Sequence, residues 1–371
     1  MTLFSFGQVV VYGGLNHAIT RLFAIAPRYG GLTVYHACAW RKYRQVSILW
    51  SVVLVVLAIL AWMGDRMEWA GLILVLLPYS LLNGAQSAFV AFANAKRARR
   101  QVALHQAADA GLKAALVFTA AHWFGPTIPV LFAAYATASL VTLLSLAGWQ
   151  ARNRNLAHKG SDTEMRSVFS RFADPIYLYA PFVWFLMVAD RWALQSFADA
   201  QALALYAVAA QMSLGPIRIG MSAVLRFLSP RLFDGIEINR ATAMTGMRRL
   251  TFGALGLTAL IFCMAGLFSA PITQLLVAPA YQEASTLLPW LVLAAGLTAS
   301  AELVVLRQFG ALNSAALVRP RITSAVFGGA LIFLGAWQWG LWGVVIAQVL
   351  QASLFLGWAM SQTHATSERA V

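Results

Sequence analysis

The chain has 371 residues, of which 60% are hydrophobic and 11% charged, with a mean hydropathy of +0.70; a water-soluble domain needs roughly 25% charged residues to cover its surface. That balance excludes a soluble protein, since no stretch longer than Gln150–Asp174 is polar enough to be a domain of its own. A net charge of +14 could suit a nucleic-acid partner, but an excess of Lys and Arg is also what the cytoplasmic loops of membrane proteins carry, so the placement of the charges decides.

A membrane-spanning helix needs about 20 mostly apolar residues. In chain order such runs fall at 3–26, 46–63, 70–94, 103–124 and 128–149; a polar stretch follows, and then 175–196, 201–226, 249–268, 287–305, 322–337 and 341–360. The runs are continuously apolar, whereas the strands of a membrane barrel would alternate. The expectation is an all-α integral membrane protein of about eleven transmembrane helices in two lobes: an N-terminal lobe over 1–149, a cytoplasmic linker over 150–174 and a C-terminal lobe over 175–371.

Charge alternates along the connections. Arg28, Arg41, Lys42 and Arg44 occupy the first, and Lys96, Arg97, Arg99 and Arg100 the third. Arg152, Arg154, Lys159, Arg166 and Arg171 fill the fifth; Arg231, Arg240, Arg248 and Arg249 flank the seventh; Arg307, Arg319 and Arg321 fill the ninth, and Arg369 lies in the tail. Those positions hold 21 of the 27 basic residues, while the even connections hold only Arg66, beside Asp65 and Glu68. The positive-inside rule therefore places the odd connections and the C-terminus in the cytoplasm and the N-terminus outside. Topology accounts for the basic charge, and nucleic acid is not needed to explain it. Trp62, Trp69, Trp123, Trp337 and Trp339 fall at the outer span ends, where an aromatic belt belongs. Cys38 and Cys263 are far apart and lack metal-ligand spacing, so no disulfide framework, zinc site or other metal site is indicated. No Walker-type phosphate loop occurs either, and no cofactor is expected.

Five basic residues lie inside spans: Arg21, Lys113, Arg191, Arg218 and Arg226. A charge at the bilayer centre costs roughly 2.5–3.5 kcal/mol on insertion scales, so each needs a wet or paired environment. Helical spacing supplies shared faces: Gly13, His17 and Arg21; His105, Asp109 and Lys113; Gln211, Gly215, Arg218 and Ser222; and a shorter face of Asn83, Gln86 and Ser87. Lys113 lies ten residues into its span, roughly 15 Å deep at 1.5 Å per residue, beyond easy snorkelling. Arg21 and Arg226 lie near cytoplasmic ends, where a snorkelling side chain competes with a cavity role. Asp109 and Lys113, four apart, read equally as a structural ion pair. Glu302 lies three residues from a span end and suits either solvent or a cavity. Asp190 and Arg191 are adjacent and cannot share a face.

From Pro175 onward the text resembles the second half of a polysaccharide or lipid-linked oligosaccharide flippase, of the MOP superfamily that also holds the multidrug and toxic-compound extrusion (MATE) exporters. The residues that carry the likeness are Pro175 and Pro181, the pair Asp190–Arg191, Tyr206 and Ala209, Pro216 and Gly220, and Ser229–Pro230. Asn16–Arg21 is similar to that family's second span, and the C-terminal third is placed by helix count alone. The resemblance implies two helical lobes around a central cavity in the cytoplasmic membrane, alternately open to either side, and an undecaprenyl-diphosphate-linked glycan as substrate. On that reading Arg21, His17, Lys113, Arg191, Arg218 and Arg226 line a cationic cavity suited to a diphosphate, since Arg recognises its oxygens bidentately. Asp109, Asp190 and Glu302 are the candidates for coupling to a proton or sodium ion, and Pro181, Gly215 and Pro216 for hinges. Membrane lipids and a polysaccharide polymerase are the implied partners. No enzymatic activity is expected. A MATE-type drug exporter is the alternative within the fold; a membrane-embedded glycan polymerase or ligase is the alternative outside it, disfavoured because the longest external connection, 269–286, carries Glu283 without His or Arg. Relative to twelve-span flippases, five spans before the linker imply that the N-terminal lobe lacks its first helix.

Overall fold

A helix satisfies its own backbone hydrogen bonds, which a lone segment in hydrocarbon must do, and the observed structure is helical throughout. The computed structural model describes residues 2–29, 31–152 and 162–368. Arg154, Lys159 and Arg369, counted above among the basic residues of the connections, lie outside the described residues, as does Met1. The long helices are α3 (Gly31–Met63), α4 (Met67–Ala95), α5 (Arg99–Phe124), α6 (Ile128–Arg152), α7 (Asp162–Phe197), α8 (Ala200–Ile238), α9 (Arg240–Leu276), α10 (Leu288–Gly310) and α11 (Val318–Glu368). The first expected span, Leu3–Tyr29, is helical but broken. It comprises α1 (Thr2–Phe6), a π-turn over Gly7–Val11, α2 (Gly13–Leu22) and a tighter segment over Phe23–Tyr29.

Among the described residues nine segments are long and apolar enough to cross a membrane. The last of them, Ser314–Ser361, holds two of the expected spans: Gly340 has φ 54° and ψ −129°, a conformation open to glycine, and it folds α11 into a hairpin. Gly335 and Gly343 let the arms touch, because a Cβ on Gly343 would stand 1.9 Å from the Gly335 carbonyl oxygen. The nine segments thus hold ten of the eleven expected spans, and the eleventh is α5, whose polar face lowers its apolarity. With the hairpin counted as two arms and α5 included, all eleven expected spans fall within helices.

Helices run further than the apolar text. Arg41, Lys42 and Arg44 lie on α3 rather than in a loop; α8 and α9 are separated by Asn239 alone; Asp162–Asp174, expected as linker, is the first part of α7. Caps set the ends: Asp199 accepts from the Ala202 amide at 2.7 Å, and Asn239 from the Thr242 amide at 3.1 Å. Three turns share one C-terminal motif. Asp65, Arg97 and Leu312 take φ near +60°, and the next amide bonds back five residues: Arg66 to Ala61, Ala98 to Ala93 and Asn313 to Gln308.

The chain forms two compact units, Met1–Ala180 and Pro181–Val371, so the division falls within α7. In the first unit α4 packs against α2, α3, α5 and α6. Gly84 faces the Tyr12 ring, which a Cβ there would approach to 2.2 Å, and the Asn16 amide donates to Ser87 at 3.1 Å. In the second unit α10 is central, packed on α8, α9 and α11, whereas α9 exposes Leu257, Leu260, Leu267 and Leu275. Exposed apolar faces of that extent suit lipid rather than water. Trp62, Trp69, Trp123, Trp337 and Trp339 are all exposed at helix ends.

Candidate functional site

The second unit contains an open-mouthed cavity of about 320 Å³ built from α7, α8, α10 and both arms of α11. Arg218 and Ser222, four apart on α8, share the face that lines it, and α10 contributes Glu302. Arg321, from the start of α11, donates from Nη2 to Glu302 Oε1 at 2.7 Å and lies over the Phe355 ring, 4.3 Å from its centroid. Glu302 is thus a cavity residue and Arg321 its counter-ion. The charge pattern had put Arg321 in a connection, because the apolar text begins just after it; the helix instead starts at Val318 and turns the guanidinium inward. Gln348 and Gln351 also line the cavity, and the sequence offers little signal for them, since a lone Gln on a span is usually packing glue.

Asp190 lies at the edge of this site, 4% exposed. Its Oδ1 accepts from the Arg191 amide at 2.7 Å, and its Oδ2 accepts from the Tyr206 hydroxyl and from Gln348 Nε2 at 3.0 Å. Gln348 also donates to the Tyr206 oxygen at 2.5 Å. Three helices therefore close a ring of neutral donors around one carboxylate, the arrangement that holds an anion out of water. Of the adjacent pair, Asp190 turns inward and Arg191 is exposed.

In the first unit Asp109 and Lys113 form an ion pair at 2.6 Å, with side chains 16% and 18% exposed. The Thr142 hydroxyl bridges outward, 3.2 Å from Asp109 Oδ1 and accepting from Gln86 Nε2 at 3.0 Å. Lys113 also stands over the Tyr79 ring, 5.7 Å from its centroid.

Other candidates are arranged differently from the expectation. Arg21 is enclosed within the first unit at 1% exposure, while His17, one turn earlier on the same face of α2, is exposed. Burial depends on which elements cover each turn, not on the face alone. Arg191 and Arg226 do not line the second unit's cavity. Arg191 is rotated outward by its place next to Asp190, and Arg226 lies eight residues past Arg218, roughly 12 Å along the helix. Helix α8 is continuous through Gly215 and Pro216. Pro181 borders a separate outer groove with Phe185 and Phe333.

No family model and no curated relative matches the sequence. Solved structures do match in shape. The Vibrio cholerae MATE transporter VcmN in its bent form aligns with a TM-score of 0.73 at 16% identity, over 100% of this chain and 87% of that one. An outward-facing multidrug resistance MATE family transporter of the MOP superfamily aligns with a TM-score of 0.75 at 14% identity, over 98% of this chain and 86% of that one. A MATE in complex with MaD3S gives 0.75 at 15% identity, over 98% and 86%. Over essentially its whole length, this chain has the fold of the MATE transporters.

Proposed function

We propose that the protein is a transporter that carries a lipid-linked anionic glycan, of the undecaprenyl-diphosphate class, across the cytoplasmic membrane by alternating access. The observation that carries this reading is the sign of the cavity in the second unit: two guanidinium groups, Arg218 and Arg321, against one lining carboxylate, Glu302, which Arg321 already engages. Arg218 is left to meet an anion, and a diphosphate crossing hydrocarbon needs such a partner. The Asp109, Asp190 and Glu302 carboxylates are the groups available for coupling to a proton or sodium ion. Asp190 and Glu302 are held by donors from other helices of their unit, so protonation of either would loosen a contact between helices and bias the conformation, whereas the Asp109 pair lies within one helix. A cytoplasmic C-terminus, an external N-terminus, a cytoplasmic connection before α7 and a polysaccharide polymerase acting on the product complete the reading.

The test is complementation of a strain lacking its own glycan flippase. Arg218→Glu abolishes surface polysaccharide while the protein still inserts, and Arg218→Lys retains part of it. Normal polysaccharide with Arg218→Glu overturns the proposal. A second reading, export of cationic compounds, is favoured by the likeness to a structure described as a multidrug resistance transporter. It requires drug efflux that Arg218→Glu leaves intact or increases.

A further inference from the structure

Arginines collect at one end of the second unit without acids to match. Helix α9 begins with Arg240 and carries Arg248 about two turns on, while Arg307 lies in the last turn of α10. That end of α10 packs on the end of α8: a Cβ on Gly310 would stand 2.4 Å from Ile236 Cδ1. Arg307 is half-buried, and the ionised groups that act on it are Arg248 and Arg240, both of its own sign. Among the described residues none of the three makes an ion pair, and the acids closest in sequence, Asp234 and Glu237 on α8, have contacts of their own. Helix α9 is also the least covered of the nine spans, with 11% of its apolar stretch buried. Arg248 Cζ lies 5.8 Å from the centroid of the Phe252 ring one turn further on, and Phe252, Leu257 and Leu260 are all exposed. At Gly253 and Gly256 a Cβ would meet no atom within 4 Å, so a strip of α9 beside that ring is open down to the backbone.

We propose that the joined ends of α9 and α10 hold an anionic phospholipid of the adjoining leaflet, its phosphate met by Arg240, Arg248 and Arg307 and an acyl chain laid on α9 from Phe252 toward Leu260. Arginine suits that partner, because its planar fork bonds two phosphate oxygens at once. Basic residues at the end of a span draw anionic headgroups, and here they stand beside exposed apolar surface on the same helix. A free phosphate would meet the charge and leave the apolar strip bare. A zwitterionic lipid would bring its own cation to a cluster that already lacks a counter-ion. The occupant is a resident lipid, distinct from any transported molecule, so the site stands independently of the transport reading.

Native mass spectrometry of the full chain in a neutral detergent, titrated separately with phosphatidylglycerol, phosphatidylcholine and inorganic phosphate, tests this. The unsubstituted protein is expected to hold phosphatidylglycerol more tightly than either other probe. Arg248→Gln combined with Arg307→Gln should weaken that binding about thirtyfold, from roughly 1 kcal/mol per arginine near a headgroup. Arg248→Lys with Arg307→Lys keeps the charge and most of the affinity. Arg44→Gln with Arg100→Gln removes the same charge from exposed positions of the first unit and should leave the affinity within about twofold, since distant surface charges are screened. Arg248→Gln alone, at an exposed position, should cost about fivefold and serves as the test if the double variant fails to fold. Equal affinity for the two lipids, or an equal loss in the Arg44 and Arg100 variant, overturns the site. Inorganic phosphate bound as tightly as phosphatidylglycerol overturns it too, because the apolar strip would then contribute nothing.

Discussion

The two units solve the same problem, a carboxylate inside a largely apolar helical unit, by different means. In the first, Asp109 meets a full positive charge one turn along its own helix, at 2.6 Å. In the second, Asp190 meets neutral donors from two other segments of chain, Tyr206 on α8 and Gln348 on the second arm of α11. A local ion pair forms whenever the helix forms and moves with it. A ring of donors exists only while three helices keep their register, so a change in their packing alters it. By that criterion the second unit holds the polar centre more sensitive to conformation, and its cavity shares Gln348.

The largest effect should come from separating the local pair. Lys113→Met leaves the Asp109 carboxylate without its cation and is expected to destabilise the first unit by about 3 kcal/mol. Combining it with Asp109→Asn should restore most of that loss, as read by a double-mutant cycle on thermal unfolding. Strict additivity of the two substitutions would show that the pair is not the unit of stabilisation.

Next comes the hairpin. Gly343→Ala places a methyl within the Gly335 backbone and should cost about 2 kcal/mol, in the range of overpacked interiors. Because it moves the arm that carries Gln348, it should also abolish the coupling between Tyr206 and Gln348 in a double-mutant cycle while leaving the Asp109–Lys113 coupling unchanged. If both couplings survive, the second centre does not depend on the hairpin.

Tyr206→Phe removes one donor of several and should cost about 1.5 kcal/mol, the scale of one hydrogen bond to a charged group. A loss as large as that for Lys113→Met would contradict the distinction between shared and single partners. The smallest effect is Asp199→Ala at the start of α8, about 1 kcal/mol from the lost N-cap. Neither polar centre should respond, and urea- or heat-induced unfolding with couplings at both sites checks this.

Much of this molecule was legible in one dimension. Every apolar run of about 20 residues became a helix, because hydrocarbon leaves the backbone no other partner. The Asp109–Lys113 contact was legible for a similar reason: spacing of four along a helix is geometry, independent of fold. That Asp190 and Arg191 face different ways followed from adjacency, though which member turned inward did not. Helix ends were less legible. Apolarity marks where lipid begins, while capping at Asp199 and Asn239 marks where the helix begins, and the two need not coincide.

What the sequence by itself determined is the solvent, the helical class and the contacts within single helices, all consequences of composition and of a 3.6-residue repeat. Tertiary structure alone decided that Arg321 turns inward onto Glu302, that Arg21 is enclosed while His17 is not, and that Gln348, 158 residues from Asp190, becomes its partner. Those outcomes depend on which helices are neighbours, and in a membrane nearly every helix face is apolar enough to be a neighbour, so the choice rests on small residues such as Gly335 and Gly343, whose close fit appears only once the arms meet.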